Sequence, residues 1–230
     1  MPKAAKFKRG AEYRQNQTRT GASPFKINQI NMTAILEFDH AVFELINSAW
    51  QNPFFDQLMP LLRERRIWLP LYLFFLSFLV INFRRSGWYL VLAIALTAGA
   101  ADLTSSHLIK KSVQRPRPCK ALEQHPDMRL LVTCGSGYSF PSSHATNHFC
   151  LATFLGLVLG RIRRWVWAPL LAWAAFIAFA QVYVGVHYPL DVVAGAFLGM
   201  SIGWLGYQAH AWLVSALRLP ASVKRKPGDA

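Results

Sequence analysis

At 230 residues, 53% hydrophobic and only 16% charged, the chain is too apolar for an ordinary soluble domain, which carries about 25% charged residues. Its formal net charge of +14, from 25 Lys+Arg against 11 Asp+Glu, falls in short clusters between long apolar runs. That placement argues against a nucleic-acid partner, which needs cations gathered on a folded polar face, and for a polytopic protein whose partner is the bilayer.

The first 31 residues hold seven Lys/Arg and one Glu and show no cleavable signal peptide. Residues 1–30 read as a basic disordered tail. Residues 31–66 read as an amphipathic segment. Within it, 33–50 is expected to be helical, with Glu37, His40, Glu44 and Asn47 recurring on one face. Two placements stay open: a helix lying in the membrane interface, favoured by that polar face, or a sixth, poor span. A sixth span would put the basic N-terminus in the cytoplasm.

A bilayer core takes about 20 apolar residues per helix. Five stretches qualify: Ile67 to Phe83, Trp88 to Ile109, Ser143 to Gly160, Trp165 to Val184 and Leu190 to Val214. The expected fold is therefore all-α, a membrane bundle of five or six spans with its core at 67–218. Residues 219–230 form a basic cytoplasmic tail. Arg84-Arg85, the Arg161/Arg163/Arg164 cluster and Lys224-Arg225-Lys226 all fall on one side, which the positive-inside rule makes cytoplasmic. Loops 111–142 and 185–189 then share the opposite side. Arg63, Arg65 and Arg66 run against the rule.

Polar groups in spans are costly and tend to be functional. Here they collect at span ends on the non-cytoplasmic side. Asp102 to His107, Lys110, Lys111 and Arg115-Pro116-Arg117-Pro118 close the second span. Pro141-Ser142-Ser143-His144 opens the third, and Gln181 to Asp191 joins the fourth to the fifth. Lys and Arg suit phosphate oxygens as point charge and planar fork. A helix start at Ser142-Ser143 offers free N–H groups to an anion. Asp191, one turn beyond His187, can orient its imidazole for attack, while His144 can protonate a leaving oxygen.

These clusters resemble the signature of the type 2 phosphatidic acid phosphatase family, which shares its site with vanadium haloperoxidases. Lys110, Arg117 and Pro118 match its first element, Pro141, Ser142 and His144 its second, with Ser143 in a glycine place, and His187 and Asp191 its third. The resemblance spans about residues 67–205. It implies metal-independent hydrolysis of a lipid phosphate or pyrophosphate, with no cofactor, through a phosphohistidine on His187. Bacterial members would work at the outer face of the inner membrane. Undecaprenyl pyrophosphate, phosphatidylglycerophosphate, phosphatidic acid and lipid A phosphates all suit such a site. Lys110, Arg117, Ser142, Ser143 and residue 181 would bind phosphate. The third element normally opens Ser-Arg, and Ala180-Gln181 stand there instead. Gln carries no charge, so Lys111 or Arg115 is expected to compensate. That departure keeps a catalytically weak phospholipid-binding or transport protein open as an alternative. A vanadate-dependent haloperoxidase is the other, although its chemistry needs no membrane.

Of 3 Cys, Cys119 and Cys134 share the long loop on the oxidising side, and a disulfide between them is expected; zinc binding is the lesser reading. His40, His125 and His210 read as structural. His148, one turn from His144, is a candidate for the pocket wall. Asp102 reads as a packing residue paired with a serine or Lys110.

Overall fold

The computed structural model describes residues 24–121 and 125–217. Residues 24–30, expected to belong to a disordered tail, are helical instead; the rest of that tail and the one expected at 219–230 lie outside the described residues. The chain divides into two compact units, residues 1–40 and 41–230. Most of helix α1 (Pro24–Glu44) belongs to the first; it begins earlier than the helix expected at 33–50. A π-helical turn, Leu45–Ala49, carries the chain onward in the second unit.

Helix α2 (Pro53–Arg63) starts where Asn52 accepts the Phe55 N–H at 2.9 Å and proline occupies the first turn. Asp56 in its first turn and Arg63 in its last complement the helix dipole. A 3₁₀ turn leads into α3 (Leu69–Phe83), and a reversal at Arg84 leads into α4 (Arg85–Leu103). Helix α4 runs on through a π-helical stretch, Thr104–Ile109, to Val113, and Gln114 in the left-handed region ends it. After a long loop come α5 (Ser143–Leu159), α6 (Trp167–Tyr183) and α7 (Pro189–Ala216).

All five helices expected from Ile67 onward are present. Among the described residues, four helical runs are long and apolar enough to cross a membrane: Arg65–Phe83, Arg85–Val113, Arg164–Tyr183 and Pro189–Ala216. Their outer faces carry bare Phe74, Ile81, Leu96, Phe197 and Trp212, the surface that hydrocarbon would cover. Helix α5 differs. It has 17 residues, most of them buried, and packs on α4, α6 and α7. It is the core of the bundle.

Glycine makes the tightest contact in this arrangement. Gly195, Gly199 and Gly203 recur every fourth residue on one face of α7. A Cβ on them would meet the carbonyl oxygens of Ser142, Thr146 and Cys150 at 2.6, 2.2 and 2.5 Å. The two backbones therefore lie against each other, as small-residue stripes allow in membranes. The contact continues at the site end, where the Ser142 N–H donates to the Asp191 carbonyl at 2.9 Å.

Candidate active site

At that end the helices enclose a polar cavity of about 430 Å³. His187 and Gln181 line it from α6 and the turn after it, His144 and Ser143 from the start of α5, Lys110 from the end of α4, and Arg117 from the loop. The three sequence clusters thus meet in one place.

His187 is buried in the turn between α6 and α7. Its Nδ1 stands 3.5 Å from Asp191 Oδ2, at the long limit of a hydrogen bond, and has no closer partner. Its Nε2 lies 3.2 Å from Arg117 Nη1. A guanidinium can only donate, so Nε2 is the acceptor and the ring proton of the neutral imidazole sits on Nδ1, toward the carboxylate. The lone pair at Nε2 is the one a nucleophile needs. Burial pushes the His187 pKa down to about 4; Asp191 opposes the shift, and Arg117 and Lys110 add to it.

Asp191 is fully buried and its carboxylate is shared. Oδ2 also accepts the Tyr188 N–H at 2.9 Å, and Oδ1 accepts Arg115 Nη1 at 2.8 Å. Arg115 lies over the Tyr188 ring at 4.0 Å. It is not among the side chains lining the cavity, nor is Lys111. The expectation that either stands in for the missing arginine at 181 therefore has no geometric support. Arg115 is spent on Asp191.

Arg117 is held by backbone carbonyls of its own loop and of the turn after α6. Nε donates to the Gly137 carbonyl at 3.0 Å and Nη1 to that of Val186 at 3.2 Å. Gly135 leaves room for the guanidinium, since a Cβ there would approach Arg117 Cζ to 3.3 Å. Burial, with Arg63 nearby, lowers its proton affinity. Cys119 and Cys134 are joined by a disulfide across this loop.

Ser142 does not line the cavity; its hydroxyl caps α5, accepting from the Ala145 N–H at 3.4 Å. Ser143 does line it, and its hydroxyl lies within 3.1 Å of Ser105 and 3.0 Å of Ser106, tying α5 to the π-helical end of α4. Asp102 accepts from Asn147 at 3.0 Å and Ser106 at 3.5 Å, so its pairing is with a serine and an amide. Gln181 is wholly buried and neither atom of its amide has a partner in the protein.

His148 lines the cavity but is committed. Its Nδ1 meets the His144 carbonyl at 2.8 Å and must carry the proton, so Nε2, at 3.0 Å, accepts from the Tyr72 hydroxyl. His125 is buried between Glu44 and Tyr188, at 3.1 Å from each. Asn47, read from sequence as part of a polar helix face, is buried instead. It donates to the carbonyls of Arg129 and Tyr183 at 2.8 and 2.7 Å and accepts the Arg129 N–H at 2.8 Å. Arg63 and Arg65 also line the cavity. Sequence reasoning missed them as site residues, and the signal available was their position on the wrong side of the positive-inside rule.

A family model for the PAP2 superfamily matches residues 86–215. The chain belongs to the PAP2 superfamily. It is 38% identical over 178 residues to the lipid A 4'-phosphatase of Bacteroides thetaiotaomicron, covering 76% of this chain and 78% of that one. The crystal structure of Aquifex aeolicus LpxE superposes with a TM-score of 0.56 at 29% identity, over 73% of this chain and 93% of that one. A transmembrane PAP2-type phosphatidylglycerolphosphate phosphatase from Bacillus subtilis shares the fold, with a TM-score of 0.64 at 22% identity over 78% and 88% of the two chains. PAP2 membership makes the chain a membrane-embedded hydrolase of the lipid phosphatase class.

Proposed function

We propose that this PAP2 protein removes a phosphate from a lipid, through a phosphohistidine on His187, at the non-cytoplasmic face of a bacterial inner membrane. The observation that carries the reading is the His187 Nε2 lone pair, set into a basic cavity beside Arg117. Nε2 attacks phosphorus, the P–O ester bond breaks, and the departing oxygen takes a proton from His144. Water then attacks the phosphohistidine as His144 accepts its proton. The P–N bond breaks, its electrons return to Nε2, and inorganic phosphate leaves. Asp191 keeps the ring proton on Nδ1 and steadies the charge that develops there. Lys110, Arg117, Gln181 and Ser143 hold the equatorial oxygens, and Ser142 positions the helix that bears His144.

A lipid substrate suits the surroundings. An apolar crevice of about 330 Å³ between α3, α4, α5 and α6 begins at Tyr72, whose hydroxyl bonds the cavity residue His148. An acyl chain in that crevice would place its headgroup at the histidines. Likeness to a lipid A 4'-phosphatase over three quarters of the chain favours a lipid A phosphate over phosphatidylglycerophosphate, phosphatidic acid or undecaprenyl pyrophosphate. Helix α1 is read as interfacial.

Phosphate release from a panel of these lipids in detergent, with His187→Ala as control, tests the reading. Release from lipid A by the native chain alone supports it. Equal rates for the two proteins would leave only binding or transport.

A further inference from the structure

The cavity is more basic than the sequence signature requires. Arg63, Arg65, Lys110 and Arg117 line it against a single carboxylate, Asp102. Arg63 ends α2, far in sequence from the three clusters, yet its Nε is buried and has no partner in the protein. Buried donors in native proteins are almost always paired, so an unpaired one at a cavity wall points to a ligand. Gln181, buried, neutral and equally unpartnered, lines the same cavity. The Arg63 guanidinium is close enough to Arg117 to disfavour positive charge on it. A bundle gains nothing from pushing two arginines together in a half-buried pocket unless an anion joins them.

We propose that Arg63 is a ligand of the transferred phosphoryl group, supplying from α2 the guanidinium that position 181 lacks. This rests on the phosphatase reading above. The bound species is a phosphomonoester dianion and, after turnover, inorganic phosphate. The role also gives Arg63 a reason to run against the positive-inside rule.

The test uses the full-length protein in detergent. Steady-state kinetics on a lipid phosphate are measured with competitive inhibition by inorganic phosphate. Arg63→Gln should lose roughly a hundredfold in kcat/KM, the usual effect of removing one transition-state donor. Its inhibition constant for phosphate should rise about tenfold, as for a lost charge-assisted hydrogen bond. Arg63→Lys should fall between. Adding Gln181→Arg to Arg63→Gln should restore about tenfold in kcat/KM, because a cation returns to the same anion. Arg66→Gln removes the same charge outside the cavity and should behave as the native chain. Native kinetics and phosphate inhibition in Arg63→Gln overturn the proposal. So does lost activity with unchanged phosphate inhibition in a variant whose melting temperature is native. If His187→Ala keeps full activity the underlying phosphatase reading fails, whereas an inactive His187→Ala beside an active Arg63→Gln removes Arg63 alone.

Discussion

Arg115 Nη1 donates to Asp191 Oδ1 at 2.8 Å, and Asp191 Oδ2 in turn faces His187 Nδ1. The guanidinium therefore acts on the carboxylate behind His187 and does not line the cavity. Arg115→Ala should lower kcat by about ten- to a hundredfold, the value of one charged hydrogen bond. It should leave the inhibition constant for inorganic phosphate unchanged. Arg117→Ala should weaken phosphate inhibition as well. Parallel inhibition assays on the two variants check this, and loss of phosphate affinity in Arg115→Ala would return that residue to the phosphate-binding set.

His187 is buried with its pKa pushed from 6.5 to about 4. The unfolded chain takes up a proton there as pH falls through the ordinary value, while the folded chain does not. The stability contributed by the neutral ring is present above about pH 6.5, declines as pH falls, and is fully lost below about pH 4. The melting temperature should drop across that window, and His187→Gln should flatten the drop. Nitrogen NMR of labelled histidine should show Nδ1 protonated and Nε2 bare at neutral pH.

Asn47 holds the 125–131 loop with three hydrogen bonds to the backbone of Arg129 and Tyr183. Asn47→Ala leaves these groups buried without partners, at a cost of about 3 kcal/mol in all. Thermal unfolding in detergent should show the loss, and limited proteolysis should show earlier cleavage near Arg129.

The Cys119–Cys134 disulfide closes a segment with a sequence separation of 15. Its loss should remove about 3 kcal/mol of stability. Because Arg117 and Gly135 flank the closed loop on either side, reduction should also raise KM. Mass spectrometry under non-reducing conditions checks the bond, and melting and kinetics with dithiothreitol check the effect.

The site was legible in the sequence to the extent that its chemistry sits at fixed spacing. His187 and Asp191 are one helical turn apart, and a carboxylate there has little else to do. The helices were legible because apolar runs of span length have few other uses. What failed to show was partnership. Arg115 and Arg117 are two residues apart, and their neighbours gave no sign that they diverge. Arg117 adopts extended backbone, with φ −78° and ψ 154°, while Arg115 bonds Asp191. Asn47 looked like one stripe of an amphipathic helix because its partners lie 82 and 136 residues away. The central place of α5 was hidden because a buried helix and a lipid-facing one are equally apolar; the glycines that reveal it lie on α7.

Those glycines have a mechanical consequence. With backbone seated on backbone, α5 and α7 form a strut with almost nothing between them to compress. His144 rides on one half and Asp191 on the other. The peripheral helix α3 can tilt as the bilayer thickens or thins, while the distance between His144 and the carboxylate that faces His187 stays clamped. Reconstitution into lipids of different chain length should therefore change how readily substrate enters, seen in KM, and leave the chemical step nearly constant. An enzyme built this way carries its own rigid interior into whatever fluid surrounds it.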